Sequence, residues 1–485
     1  MVDVQFDRVA LSKSYYEFFK AAWHIVEPKQ QLVDNWHIRF ICWRLQQEVE
    51  AIERGELRKK HLIINIPPRS GKSYLVAVML NAWVWTRSPH MKFMTSSFSG
   101  TLSSDHAVAT KKITSSAWYQ QRWGHEFRMS KHVNRNNHFV NDKGGHRIAT
   151  SVNGGSTGMG CNIVIADDLI DPRRSVSKAE REKANDHATK TLFQRLNNPD
   201  VDLMIVVQQR LHEKDPAGAL MEENPDMWDM IVIPAEDRFP VKPVGLKRYY
   251  TDGLFDPLRF PLRVLVSKQK VLGSRGYAEQ FGQQPSDPSG NTFKRDWFRF
   301  INMDEFQREV MTKGAVIRFC ADTAYDDEDK IRNNDPSGIM AYVHFNNLLY
   351  IIAYEQIYAD ITKLYPLFES FCRANGYTSR SLLKIEPAAS GKDVENTIRA
   401  YTKINVTASK PPAGAKEVRA ENKAPFVESK RVVLVRARWN KDFVDEVCTF
   451  PNAAHDESVD CLVMAIDDAE VKKKKGPRVG AGSRR

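Results

Sequence analysis

Residues 61–73, His-Leu-Ile-Ile-Asn-Ile-Pro-Pro-Arg-Ser-Gly-Lys-Ser, constrain the fold more than any other stretch of this chain. Leu62 to Ile66 is a short apolar run, as expected of a strand buried on both faces. Pro67 and Pro68 stop it, because neither can donate to a sheet ladder. Gly71-Lys72-Ser73 follows, and a helical pattern rich in Ala, Val, Leu and Trp begins at once. Strand, Gly-Lys-Ser turn and helix together are the context of a phosphate-binding loop. A helix N-terminus offers unpaired N–H groups and a positive dipole end to an anion. Lys72 would add a charge for the β- and γ-phosphates, and the Ser73 hydroxyl would ligate Mg²⁺. Arg69, Ser70, Gly71, Lys72 and Ser73 are therefore expected to hold ATP. Ile66 stands where the first Gly of the full pattern belongs, so on these residues alone an ordinary strand-to-helix turn stays open.

A second apolar run, Asn162 to Ala166, leads straight into Asp167-Asp168. It reads as the acidic strand that accompanies a phosphate loop. Asp167 would hold the Mg²⁺ shell and Asp168 would polarise the attacking water. Lys92 to Ser97 and Asp202 to Val207 read as further strands, the latter ending at Gln208-Gln209-Arg210. Helical patterns lie between several of them, Trp36 to Ile52 among these. Alternation of this kind predicts a mostly parallel α/β sheet, whose sites gather at the carboxyl ends of the strands. Arg69, Arg147 and Arg210 are candidates to clamp γ-phosphate oxygens, with Arg69 best placed inside the loop. The Gly-rich stretch Gly154 to Gly160 is a flexible hairpin or a contact to phosphate or DNA.

At 485 residues the chain is too long for one typical core. Its apolar and charged fractions, 42% and 27%, are ordinary for a soluble globular protein. No apolar run approaches the ~20 residues that span a bilayer, so no membrane association is expected. The first residues lack a basic-then-apolar leader pattern. Six scattered cysteines with no C-x-x-C pair suit a reducing cytosol and argue against structural zinc. The net charge of +11 suits a polyanionic partner such as nucleic acid. Seven of the positive charges fall in the last fourteen residues, among Gly, Pro and Ser, which predicts a basic disordered tail.

Prolines punctuate the chain from about 237 to 300, which reads as a connecting region wrapped on the first domain. A second α/β unit begins near Ala315. Its strands include Val316 to Cys320, the alternating pair Met340 to His344 and Leu348 to Ala353, and Leu382 to Ile385. Helices are expected over 360–375 and 394–402. Three acidic positions share a context here. Asp322 and Glu386 end strands, and Asp456 and Asp460 open the helical run that starts at Cys461. Carboxylates so placed can converge on two Mg²⁺ or Mn²⁺ ions for phosphodiester cleavage. Asp326 to Asp329 reads instead as a solvated loop.

This ordered combination resembles the large terminase subunit of tailed bacteriophages over residues 35 to 470. The resemblance rests on Ile64 to Ser73, Gly154 to Asp168, Gln208 to Gly218, Tyr277 to Pro285, and Asp322, Glu386 and His455 to Asp460. It implies a P-loop NTPase domain of the ASCE type at 1–240, a connecting region at 241–300 and a ribonuclease-H-like nuclease at 301–470, with the tail at 471–485. It implies an ATPase coupled to translocation of double-stranded DNA into a procapsid, and a Mg²⁺- or Mn²⁺-dependent endonuclease that cuts concatemeric DNA. Asp167, Asp168, Arg69, Asp322, Glu386 and Asp460 would be catalytic. Ser73, Asp167, Asp322, Glu386, Asp456 and Asp460 would be metal ligands, with Asp456 and Asp460 both open as the direct one. Implied partners are the portal protein, a small terminase subunit and further copies in a ring, commonly a pentamer, formed on docking from a monomer in solution. The implied location is the host cytoplasm and, transiently, the portal vertex, but not the mature virion. Two features depart from the family pattern. Met159 stands where many relatives carry Arg, which leaves Arg147 as a candidate to serve a neighbouring subunit. Glu457 replaces a common second Asp. The competing readings are an ATP-dependent nuclease or helicase of repair or defence, and a non-catalytic prophage remnant that binds nucleic acid.

Overall fold

The computed structural model describes residues 2–155, 158–285, 292–323, 336–359, 361–386, 399–400, 402–409, 416–451, 453 and 455–474. The acidic run 326–329, most of the helix expected over 394–402 and the tail beyond 474 lie outside the described residues. The chain divides into two compact units, Met1–Asp287 and Pro288–Arg485.

The first unit carries an eight-stranded sheet. Its strands are β1 (His61–Asn65), β2 (Phe93–Ser97), β3 (Met129–Asn134), β4 (His138–Asn141), β5 (His146–Ser151), β6 (Ile163–Asp167), β7 (Leu203–Gln208) and β8 (Trp228–Val232). Their order is β3-β4-β5-β2-β6-β7-β1-β8. Neighbours run parallel from β5 to β8, while β3, β4 and β5 form an antiparallel edge. Side chains alternate between two cores. Leu62 and Ile64, Ile163 and Ile165, and Leu203, Ile205 and Val207 join one; Ile63, Val164, Ala166, Met204 and Val206 join the other. Both faces are covered, so both parities of the central strands are largely apolar, and the sequence shows near-continuous apolar runs there. Local caps start the flanking helices. Ser14, Asn35, Ser99 and Asp215 each accept a backbone N–H at a helix start, meeting donors that the first turn leaves unpaired.

Leu246, Leu254, Phe255, Phe260, Leu265, Tyr277 and Phe281 share the larger of these cores. The Pro-punctuated stretch after residue 240 thus belongs to the first unit's core as far as residue 281. The antiparallel strands β3 to β5 and the edge strand β8 escape the sequence reading. β3 is mostly polar and partly exposed, because an edge strand buries little and carries little apolar signal.

The second unit carries β9 (Arg299–Ile301), β10 (Arg318–Asp322), β11 (Ser337–Phe345), β12 (Leu348–Ile357), β13 (Leu383–Glu386), β14 (Val406–Ala408) and β15 (Val432–Val435). The order is β14-β13-β10-β11-β12-β15-β9. β10, β11 and β12 form an antiparallel meander, and β13 and β14 continue it in parallel from β10. Read in chain order from β10, these five strands run 5-4-1-2-3, the arrangement of a ribonuclease-H-like sheet. The whole chain is therefore an α/β protein with a P-loop NTPase sheet of the ASCE type followed by a ribonuclease-H-like unit. No helix among the described residues is long and apolar enough to cross a membrane.

Candidate active sites

The first site is built where β1, β6 and β7 end side by side. Beyond β1 the chain passes Pro67 and Pro68 into a tight loop in which Arg69 has φ 65° and Gly71 φ 85°. Positive φ on both sides of Ser70 bends the loop sharply, and left-handed residues in a turn are one way that backbone N–H groups are gathered into anion-binding nests. No Cβ is tolerated cheaply at Gly71, for conformational rather than spatial reasons. Lys72 is buried, and a π-helical turn, Tyr74–Val78, follows Ser73 directly.

Lys72 Nζ lies 2.8 Å from Asp168 Oδ2. Asp168 sits just past β6 at φ 46°. Its Oδ1 accepts the Gln209 N–H at 3.1 Å, and its own N–H donates to the Val207 carbonyl at 3.0 Å. β7 lies between β1 and β6, so one carboxylate touches both the phosphate loop and the strand end that carries Gln208-Gln209-Arg210. Asp167 is fully buried on the face shared with the helix Gly100–Thr114, where His106 Nδ1 is 3.4 Å from its Oδ2. Burial pushes the Asp167 carboxyl up to about 7, and the Asp168 charge adds to this against Lys72, the Ser73 hydroxyl and Arg147. Both Asp167 oxygens are buried without a well-aligned hydrogen-bond donor among the described residues. A buried acceptor of this kind is costly unless a cation completes it, and a carboxylate beside a serine hydroxyl is a donor set that fits Mg²⁺.

The three candidate arginines separate cleanly. Arg69 is exposed. Arg147 is fully buried and donates from Nη2 to the Ala77 carbonyl at 2.7 Å, so the expectation that it serves a neighbouring subunit is corrected: its guanidinium cannot reach solvent. Arg210 is held by Asp215, with Nε 3.0 Å from both carboxylate oxygens, and its N–H donates to Gln283 Oε1 at 3.0 Å. One contributor has no sequence signal. His37, on the helix Trp36–Glu53, reaches the phosphate loop through Nε2, 3.0 Å from the Ser70 carbonyl.

The second site lies in the second unit. Asp322 and Glu386 are register partners on the parallel strands β10 and β13. Each shares its strand parity with residues that face the helix Glu457–Lys474, because Cys320 joins that helix's core while Phe319, Ala321, Leu383 and Ile385 join the opposite one. Asp460 opens that helix, 2% exposed. Gly338, opposite Asp322 on β11, permits the close approach. A Cβ there would stand 3.0 Å from Glu457 Cβ and 3.3 Å from Cys461 Sγ. Burial pushes the Asp322 carboxyl up to about 8, with the Asp460 and Glu386 charges next in effect. Burial also raises Glu386, and the neighbouring Arg419 opposes that rise. All the donors are hard oxygens, which suit Mg²⁺ or Mn²⁺.

Two cations missed in the sequence sit among these acids. Lys416 forms ion pairs with Asp456 and Asp460. Arg419 Nη1 lies 3.0 Å from Glu386 Oε1, and its Nη2 lies 3.1 Å from Asp460 Oδ1. Among the described residues no three His, Cys, Asp or Glu side chains form a ready-made metal-ligating group.

No family model and no curated relative matches the sequence. Solved structures do match. A large terminase from a thermophilic bacteriophage is 10% identical, with a TM-score of 0.46, over 88% of this chain and 98% of that one. The HK97 bacteriophage large terminase is 9% identical, with a TM-score of 0.36, over 84% of this chain and 87% of that one. The large terminase nuclease from thermophilic phage G20c, with bound zinc, is 18% identical, with a TM-score of 0.25, over 32% of this chain and 82% of that one. These three solved structures, to which this two-unit chain is similar, come from large terminases of bacteriophages.

Proposed function

We propose that this chain is the large subunit of a viral DNA-packaging motor, in which ATP hydrolysis by the first unit drives double-stranded DNA into a procapsid and the second unit cuts that DNA. The observation that carries the reading is the 2.8 Å contact between Lys72 and Asp168 across a P-loop sheet, in a chain whose second sheet pairs Asp322 with Glu386. Arg69, Ser70, Gly71, Lys72 and Ser73 would hold the triphosphate through backbone N–H groups and the Lys72 charge. Asp168 would orient the attacking water. Its bond from Gln209 passes any shift of that carboxylate to the end of β7. Ser73 and Asp167 would hold Mg²⁺ in the first site; Asp322, Glu386 and Asp460, with Asp456 near, would hold Mg²⁺ or Mn²⁺ in the second. When bound, these ions supply charge neutralisation at the phosphates and a more acidic water.

The finer assignments belong to the same proposal. They are a portal protein and a small terminase subunit as partners, a ring of copies, commonly a pentamer, assembled on the procapsid, and work in the host cytoplasm. The test separates the two sites. Lys72→Ala should lower ATP turnover by about 100-fold or more while metal-dependent cutting of plasmid DNA persists. Asp322→Ala should remove cutting while ATP turnover persists. Loss of both activities in either folded variant would refute two independent sites.

A further inference from the structure

The helix Lys416–Glu428 begins with Lys416 and Arg419, three residues apart and so on one face. Both turn into the acidic site of the second unit, and this inference rests on the metal-nuclease reading of that site. Lys416 joins Asp456 to Asp460. Arg419 Nη1 donates to both Glu386 oxygens, at 3.0 and 3.3 Å, and its Nη2 stands 3.1 Å from Asp460 Oδ1 as an ion pair without hydrogen-bond alignment. The pairs are sheltered: the side chains of Arg419, Glu386 and Asp460 are 16%, 12% and 3% exposed.

These contacts engage both Glu386 oxygens and Asp460 Oδ2, oxygens that a divalent cation would need. A carboxylate oxygen bonded to a guanidinium in a sheltered site is engaged in a strong, directional interaction. The acids have no comparable arrangement among themselves, since no ready-made metal-ligating trio exists among the described residues. The charges point the same way. Asp322, Glu386, Asp456, Glu457 and Asp460 crowd one site, and like carboxylates at close range repel unless cations stand between them. Lys416 and Arg419 are the cations that do so.

We propose that Lys416 and Arg419 form a cationic latch, which holds Glu386 and Asp460 apart from any metal and must release them before divalent cations can bind. Both are positioning residues that act through those acids. The latch sets the concentration of Mg²⁺ or Mn²⁺ at which the second site assembles, and so keeps the nuclease inactive below it.

The experiment is calorimetric titration of the full chain with MnCl₂ in the absence of nucleotide, with Asp322→Asn as the control that removes the second site's heat. Arg419→Met and Lys416→Met should each bind Mn²⁺ about tenfold more tightly than the unaltered protein, because the competing cation is gone. Both should also melt lower in EDTA and regain the difference in MnCl₂. Unchanged or weaker Mn²⁺ binding in both variants would overturn the latch. Should the variants fold poorly, the unaltered protein carries the test. Amine labelling of Lys416, followed by mass spectrometry, should rise on adding MnCl₂, and an unchanged rate would overturn the latch as well. If Asp322→Asn removes no Mn²⁺ heat at all, the metal-site reading itself falls, and the latch with it.

Discussion

His37 shows how one residue can shape a site from outside it. The Asn35 side-chain amide donates to Nδ1 at 3.0 Å, which leaves Nε2–H to donate to the Ser70 carbonyl. A neutral imidazole satisfies both contacts, and burial, the largest effect, lowers the His37 pKa to about 4. Burial likewise lowers His61, His106, His187 and His212 to about 4. The folded pKa lies below the unfolded one, so these groups favour folding fully above about pH 6.5 and lose that contribution as pH falls through about 4. The first unit should therefore lose stability between these limits. In urea melts the drop from pH 7 to pH 5 should be smaller for His37→Gln than for the unaltered protein; an equal drop would show that His37 is not buried neutral. The same variant keeps a donor for Ser70, so its ATP KM should change less than that of His37→Ala.

At the level of elements, the second site depends on how closely the helix Glu457–Lys474 approaches β11. Gly338 is the reason it can. An added Cβ meets Glu457 Cβ at 3.0 Å and the Glu457 carbonyl oxygen at 3.3 Å, and the backbone partner cannot swing aside as a flexible side chain would. Gly338→Ala should cost about 1–3 kcal/mol through overpacking and shift Asp460, on the first turn of that helix, away from Asp322. Plasmid cleavage should fall while ATP turnover is unchanged. Full cleavage with an unaltered melting temperature would show that the helix has room to spare.

For the whole molecule, the division after Asp287 places the stretch that follows residue 240 with the first unit. Phe255, Phe260, Leu265, Tyr277 and Phe281 are core residues of the first unit, and the Phe255 carbonyl accepts from both Asn35 and Trp36. Burying such side chains is worth about 1.5–3 kcal/mol each, and five of them together rival the ~5–15 kcal/mol that holds a typical domain folded. A fragment 1–287 should thus be soluble and cooperative in thermal melts, whereas a fragment 1–240 should aggregate. Equal solubility and equal melting of the two fragments would contradict this account.

The sequence by itself determined most of the buried parallel strands, because a strand covered on both faces is apolar at most positions, and that leaves a near-continuous run such as Leu62 to Ile66. It also marked Lys72, Asp167, Asp168, Asp322, Glu386 and Asp460 as chemically interesting, because strand ends followed by charge are visible in one dimension. Tertiary structure alone decided which charges meet. Arg147 and Arg69 are both candidate phosphate clamps in the sequence, yet one is fully buried and bonded to Ala77 while the other stands exposed. Lys416 and Arg419 carry no motif at all; they matter because a helix distant in sequence sets them against Glu386 and Asp460. Pairing of side chains across long sequence separations is fixed by topology and close approach, and neither is encoded in local pattern.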